Sequence, residues 1–253
     1  MQTSGKLFML GIVIVTSFLL SRTAPAQGPV PNSATTLLDR VIDVYGRQWT
    51  TGEIADSIAD GKLTFFNGAG AKATFEFTLF RRGYTQAQRI IKEPAGNLKQ
   101  GTDGTNSWES ILGFSTPTAQ GSALQFLESQ TSRSIPRLLN YSKEGITLRD
   151  LGVRGNERTI EAEDRKGNKT TYHIDSDKHL ITEFEVLTGE RRDAFSGLSV
   201  PETDRYVFSD MRVIQGVVTP FKIERYNSGF KTEEMQLTTV RYNAGLKDVD
   251  FRR

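Results

Sequence analysis

The chain has 253 residues, with 32 Lys and Arg against 30 Asp and Glu, two histidines and no cysteine. The missing thiol excludes disulfides, thiol catalysis and thiolate metal sites. A near-neutral balance removes the electrostatic case for nucleic acid or an anionic membrane surface as the main partner.

The N-terminus opens with Lys6, an apolar run over residues 7–20 and Ala24-Pro25-Ala26. This pattern predicts a signal peptide over residues 1–26, cleaved after Ala26. The run is shorter than the roughly 20 apolar residues that a membrane-spanning helix requires. Lys6 and Arg22 leave with the peptide and no acidic residue does, so 30 basic residues then face 30 acidic ones. Without cysteine the cleavage site cannot be lipidated, and the expected product is a soluble periplasmic protein. Residues 27–33, with two prolines and a glycine, predict a flexible tether. Residues 34–253 remain as a single domain, a length within the range of one all-β unit with an ample core.

Leu37, Leu38, Val41, Ile42 and Tyr45 recur at helical spacing, with Asp39, Arg40 and Asp43 opposite and Gly46 at the expected C-terminus. They predict one amphipathic helix. After it the period becomes two, as in Thr74-Phe75-Glu76-Phe77-Thr78-Leu79, around His173, around Glu185 and around Gln236. Turn signals such as Asn67-Gly68, Asp103-Gly104, Gln215-Gly216 and Asn227-Ser228-Gly229 punctuate these runs. The pattern predicts about eleven strands, mainly in hairpins, forming a sandwich or a curled, barrel-like sheet.

Two segments interrupt the strands. Residues 121–141 carry Leu124, Phe126, Leu127, Ile135, Leu138 and Leu139 in two short amphipathic stretches separated around Pro136. Residues 190–203 are polar, contain Pro201 and predict a long loop. A curled sheet needs its concave face covered, and the first helix and the 121–141 pair are the available covers. Where they leave the interior unfilled, an apolar cavity results, a recurrent ligand site.

Motifs of catalysis fail on context. Gly68-Ala69-Gly70-Ala71-Lys72-Ala73 resembles a dinucleotide fingerprint but lies between two strands. Ser228-Gly229-Phe230-Lys231 spells S-x-x-K inside a hairpin without its companion motifs. His173 sits on a polar strand face and His179 follows a turn, so no metal site of converging ligands is expected. A Ca²⁺ ion near Asp175 and Asp177 lacks the oxygen ligands of a dedicated loop. The carboxylates Glu161, Glu163, Asp164, Glu183 and Glu185 fall at spacings of a wet strand face. Nothing assembles a nucleophile, a base and an orienting group, so the chain is expected to bind rather than catalyse, with no cofactor and no metal. Phe65, Phe66, Phe75, Phe77, Phe80, Phe184, Phe208, Phe221 and Phe230 sit in strand segments, as core or as the walls of a cavity for a chain-like ligand.

The order of features carries a resemblance. An N-terminal amphipathic helix is followed by Phe80-Arg81-Arg82-Gly83, then Gln88-Arg89-Ile90, then Gly101-Thr102-Asp103-Gly104-Thr105-Asn106-Ser107-Trp108. This series resembles the outer-membrane lipoprotein carrier (LolA-like) superfamily, whose pattern is a strand closing on Arg-Pro, an F-R-W-like strand and S-D-G-K-x-L-W. The resemblance implies a half-open antiparallel β-barrel with a short helical lid and an apolar cavity for lipid or lipoprotein acyl chains. Cavity candidates are then Phe65, Phe75, Phe77, Leu79 and Phe208, and lid candidates are Leu124, Leu127, Ile135 and Leu138. Arg82 matches the arginine that holds the family's lid closed, with Gly83 where the family has proline. The implied partners are a lipid or acylated lipoprotein and an envelope protein, with no nucleic acid, and a monomer is expected. Related domains also act as periplasmic sensors, which keeps a protein-interaction module open as the second reading.

Overall fold

The computed structural model describes residues 33–67, 70, 72–118, 121–192 and 198–252. The expected signal peptide, and the tether up to residue 32, lie outside them.

Helix α1 (Ser33–Tyr45) buries one stripe, Ala34, Leu37, Leu38, Val41, Ile42 and Tyr45, and turns its charged side outward. It stops at Gly46, whose backbone takes φ +89° and where a Cβ would lie 2.8 Å from the carbonyl oxygen of Gly216. Only glycine fits both demands. A short turn, α2 (Gln48–Thr51), brings Trp49 into the interior.

Thirteen strands among the described residues form one antiparallel sheet. They are β1 (Asp56–Phe66), β2 (Lys72–Arg82), β3 (Gln86–Glu93), β4 (Gly96–Thr102), β5 (Ser107–Ile111), β6 (Phe114–Pro117), β7 (Thr147–Arg154), β8 (Glu157–Glu163), β9 (Lys169–Asp175), β10 (Ile181–Arg192), β11 (Ser199–Ile214), β12 (Val217–Asn227) and β13 (Phe230–Tyr242). The order across the sheet is β6-β5-β4-β3-β2-β1-β13-β12-β11-β10-β9-β8-β7. Every neighbour is a sequence neighbour except β1 and β13, so the chain closes on itself in the middle of the sheet. The connection from β6 to β7, its two outer strands, carries the remaining helices: α3 (Ser122–Gln130), α4 (Ile135–Leu139) and α5 (Tyr141–Glu144).

The mainly-β expectation and the helical cover stand, and the strand count rises from eleven to thirteen. The extra hairpin is β5–β6, whose turn places Leu112 at φ +50° before Gly113 at φ +85°, a left-handed leucine that no turn signal announces. Of the loop expected over 190–203, residues 190–192 and 199–203 are strand, with Glu190 opposite Pro201, and residues 193–197 lie outside the described residues. The proline is tolerated because β12 pairs only from Asp204 onward, leaving that side of Pro201 without a ladder to break. Pro136 lies in the first turn of α4, where its missing N–H costs nothing. The break between helices falls instead at Ser134, whose hydroxyl caps the N–H of Arg137.

Alternation assigns two faces. The concave face collects Ala59, Leu63, Phe77, Leu79, Ile91, Phe184, Tyr206, Met235 and Leu237 into one core with α1 and α3–α4. Trp108 and Phe251 are buried outside that cluster. Trp108 stacks over Gly101 from the opposite, convex face, where a Cβ would meet its ring at 2.5 Å.

Two outcomes test this architecture. Gly61 sits at a bulge of β1, where a Cβ would lie 2.4 Å from the Gln236 carbonyl oxygen and 3.0 Å from the Phe77 ring. Gly61→Val is expected to lower unfolding free energy in urea by about 1–3 kcal/mol through overpacking. At the start of α1, the Ser33 hydroxyl donates to Asp150 at 2.5 Å, and Arg158 also donates to that carboxylate. Arg158, then Ser33, hold the Asp150 carboxyl down at about 2, below its unfolded value of roughly 3.9. A depressed carboxylate stabilises above its unfolded pKa. The stability gap between wild type and Asp150→Asn is therefore expected to be full at neutral pH and to close as pH falls from about 4 toward 2. Urea melts across that range measure it.

Candidate functional site

The concave face holds a partly open cavity of about 50 Å³ between the sheet and α2–α4. Its floor is built by register. One row runs Phe75, Leu63, Met235, Ile223, Phe208 across five strands. The next rows toward the other end carry Phe77, Gly61 and Leu237, then Leu79 and Ala59. Ile135 and Pro136 of α4 form the roof, with Ser129 and Gln130 at the end of α3.

The last row is polar. Arg81 lies opposite Ser57, and Ser57 lies opposite Tyr242. Arg81 donates through Nε to the Ser57 hydroxyl at 3.2 Å. Tyr242 and Thr219 share a hydroxyl–hydroxyl bond of 2.7 Å. Trp49 stands edge-on to Tyr242, ring centres 5.6 Å apart. Burial pulls the Arg81 guanidinium below the ordinary arginine value, a shift opposed by Tyr242. Burial likewise pushes the Tyr242 hydroxyl up.

A network of buried charge ties α3 to the sheet. Arg89 on β3 is 1% exposed and donates to Glu233 on β13 at 3.0 Å, a reach over β2 and β1 that only a curled sheet permits. Its other donors grip Gln100 at 2.7 and 3.1 Å, and its guanidinium lies 3.6 Å from the centre of the Phe126 ring of α3. Arg225 on β12 bridges Glu233 at 3.3 Å and the fully buried Asp204 at 2.7 Å. The same guanidinium donates to the Ser122 carbonyl at 3.3 Å and to the Gln125 side chain, both on α3. Burial opposes the charge of Arg225, but Tyr206, Glu233 and Asp204 together lift its pKa above the ordinary arginine value. Two cations thus meet two carboxylates, as a buried cluster requires.

The other end of the cover has its own ties. The Asn140 amide donates to the carbonyls of Trp49 and Pro136 at 3.2 and 2.9 Å. Tyr84 donates to Glu144 of α5 at 2.8 Å, and Tyr172 to the Arg133 carbonyl at 3.0 Å.

Of the residues singled out from sequence, Leu79, Phe208 and Ile135 line the cavity. Phe77, Leu127 and Leu138 are buried in the surrounding core, and Phe65 and Phe75 pack against it, their rings 6.2 Å apart. Leu124 is half-buried on α3. Arg82 alternates to the convex face and pairs with Asp248 of the C-terminal 3₁₀ turn, Asp248–Phe251. The sheet arginines that reach α3 are Arg89 and Arg225. Sequence reading missed Arg81, Trp49 and Tyr242. The signal that finds Arg81 is parity: it shares the face of Phe77 and Leu79, four and two residues before it.

The polar candidates sit on the outer face. His173 bonds Glu157 at 2.7 Å, with Glu183 and Glu185 at 3.6 and 3.5 Å. Burial raises the Glu183 pKa, against the pull of His173 and Arg205. Asp175 uses its carboxylate to cap the N–H groups of Asp177 and Lys178. Among the described residues no group of three or more His, Asp or Glu side chains is placed to hold a metal ion.

Truncating Arg225 would leave Asp204 and part of Glu233 buried without a cation. Arg225→Met is expected to cost about 3–5 kcal/mol in urea unfolding, the scale of an uncompensated buried charge. A loss below about 1 kcal/mol, the range of exposed pairs, would show that the network does not hold the cover.

No family model and no curated protein sequence matches the chain. Solved structures do. A LolA superfamily protein from Nitrosomonas europaea aligns at 13% identity and TM-score 0.57, over 87% of this chain and 97% of that one. The domain of a putative outer membrane lipoprotein-sorting protein from Vibrio parahaemolyticus aligns at 13% and 0.55, over 85% and 94%. A DUF1329 family protein from Desulfovibrio piger aligns at 14% and 0.58, over 88% and 98%. The chain has the LolA-like fold.

Proposed function

We propose that this protein is a periplasmic, non-enzymatic carrier that holds the acyl chains of a lipid or lipoprotein between its concave sheet and its helical cover. One observation carries the reading: α3 and α4 close an apolar cavity over the concave face instead of filling it. At about 50 Å³ the space inside it is well below the roughly 300–1,000 Å³ of occupied ligand pockets. Loading therefore requires α4, which is short and roofs the cavity with two side chains, to move off the sheet. It spans only five residues, so its displacement breaks fewer backbone bonds than that of α3 would, while exposing Ile135, Pro136, Leu138 and Leu139. The likeness to lipoprotein-sorting folds supports the same reading, and the carrier acts as a monomer.

A second reading, a protein-interaction module, draws on the β5–β6 hairpin. Its tip leaves Leu112 and Phe114 exposed, Phe114 at 81%, and exposed apolar tips of this kind mark contact sites. A stoichiometric protein partner recovered from envelope extracts without lipid favours the module.

Native mass spectrometry of the purified full chain is expected to show co-purifying acylated species. Leu237→Trp, which fills the floor of a cavity only a few water volumes in size, is expected to remove most of that mass. Phe230→Trp, at a wet hairpin, is expected to leave it unchanged. A wild-type protein free of lipid, and unable to take up added fatty acid, would overturn the carrier reading.

A further inference from the structure

Three buried or half-buried arginines face the concave interior, and two of them are paired. Arg89 and Arg225 meet Glu233 and Asp204. Arg81 meets no carboxylate: among the described residues its side chain makes one hydrogen bond, from Nε to Ser57, and no ion pair. Arginine carries five N–H donors in a planar fork, so four of them, on the two terminal nitrogens, stand without a protein acceptor beside the cavity they line. The side chain is half-buried, and a cation partly withdrawn from water without a counter-ion carries a cost that an anion relieves. Arg89 and Arg225 each meet a carboxylate, so Arg81 is the interior arginine, among the described residues, that leaves a place for an anionic partner from outside.

The register gives that partner its shape. Arg81, Ser57, Tyr242 and Thr219 occupy one end of the cavity floor, and the rows beyond, from Leu79 to Met235, are apolar. A molecule that satisfies both ends has an oxyanion at its head and hydrocarbon behind it. With Nε held by Ser57, the free Nη1–Nη2 edge of the guanidinium fits a carboxylate or a phosphate in bidentate geometry.

We propose that the cavity selects amphiphiles headed by one anionic oxygen group, a carboxylate or a phosphate, with Arg81 as the counter-ion; this rests on the carrier reading above. The lipid thereby supplies the missing negative charge of the interior. Neutral lipids with the same chain leave Arg81 unpaired and bind more weakly.

Binding of oleate, oleoyl lysophosphatidate and oleyl alcohol to the delipidated full chain tests this, with inorganic phosphate as competitor. Both anions are expected to bind wild type at least about tenfold more tightly than the alcohol, the worth of a charge-assisted hydrogen bond. Arg81→Gln is expected to bring all three to the affinity of the alcohol. Arg81→Lys, which keeps the charge without the fork, is expected to retain part of the preference. Phosphate alone at millimolar concentration is expected not to displace oleate. Equal binding of alcohol and anions by wild type overturns the proposal while leaving the carrier reading intact, and so does a preference that survives in Arg81→Gln. Displacement by free phosphate also overturns it, because the site would then serve a small anion. Failure of all three chains to bind wild type overturns the carrier reading and the proposal together. Where Arg81→Gln does not fold, the wild-type preference and Arg81→Lys decide.

Discussion

The charge cluster of Arg89, Arg225, Glu233 and Asp204 is the constraint on which the rest of this structure depends. A sheet of thirteen strands with helices on one side has many possible curvatures. Few of them bring β3 to within ion-pair distance of β13 across two intervening strands. Buried ions tolerate little misplacement, because each unpaired charge costs several kcal/mol once water is gone. The cluster therefore fixes the curl of the sheet, and through Gln125, Ser122 and Phe126 it fixes the position of α3 over it. An apolar core alone would tolerate sliding. Geometry-specific hydrogen bonds do not.

From that fixed point the cover divides into two parts of different character. α3 is bolted to the sheet by guanidinium groups, whereas α4 is five residues long and meets the cavity with Ile135 and Pro136. Ser134 caps it and Asn140 ties its far end to α2. A nine-residue helix fixed by buried ion pairs thus stands beside a five-residue helix held by apolar burial and hydrogen bonds. The cavity beneath has an apolar length and a polar end, and its only interior cation without a carboxylate among the described residues stands at that end. Fold likeness to a LolA superfamily protein and the chemistry of the cavity wall are separate observations.

Much of the architecture was legible in period and turn chemistry. The stripe Leu37, Leu38, Val41, Ile42 and Tyr45 with Gly46 behind it specified α1, and Thr74–Leu79 specified β2 and its inward face. The failures have local causes. The β5–β6 hairpin turns on a leucine in the left-handed region, which the ladder on either side imposes and propensity does not favour. The 190–203 segment is polar because it extends past the end of β12, where a ribbon has little to bury, so polarity there signalled exposure rather than loop. Pro136 was a helix breaker in sequence and a first-turn residue in space.

Arg81 and Arg82 show where the sequence stops. They are adjacent and chemically identical, and the resemblance to the lipoprotein carriers drew attention to Arg82. Strand parity sends Arg82 to the convex face and Asp248, and Arg81 to the cavity and Tyr242. By itself the sequence determined the export-like N-terminus, the mainly-β class, the first helix and the helical cover, because each of these is written in local periodicity and composition. Only the tertiary structure decided which arginines are paired, where the cavity lies and which of its ends is polar. Those depend on contacts among β2, β3, β12, β13 and α3, up to the 144 residues that separate Arg89 from Glu233, and no local pattern encodes such a meeting.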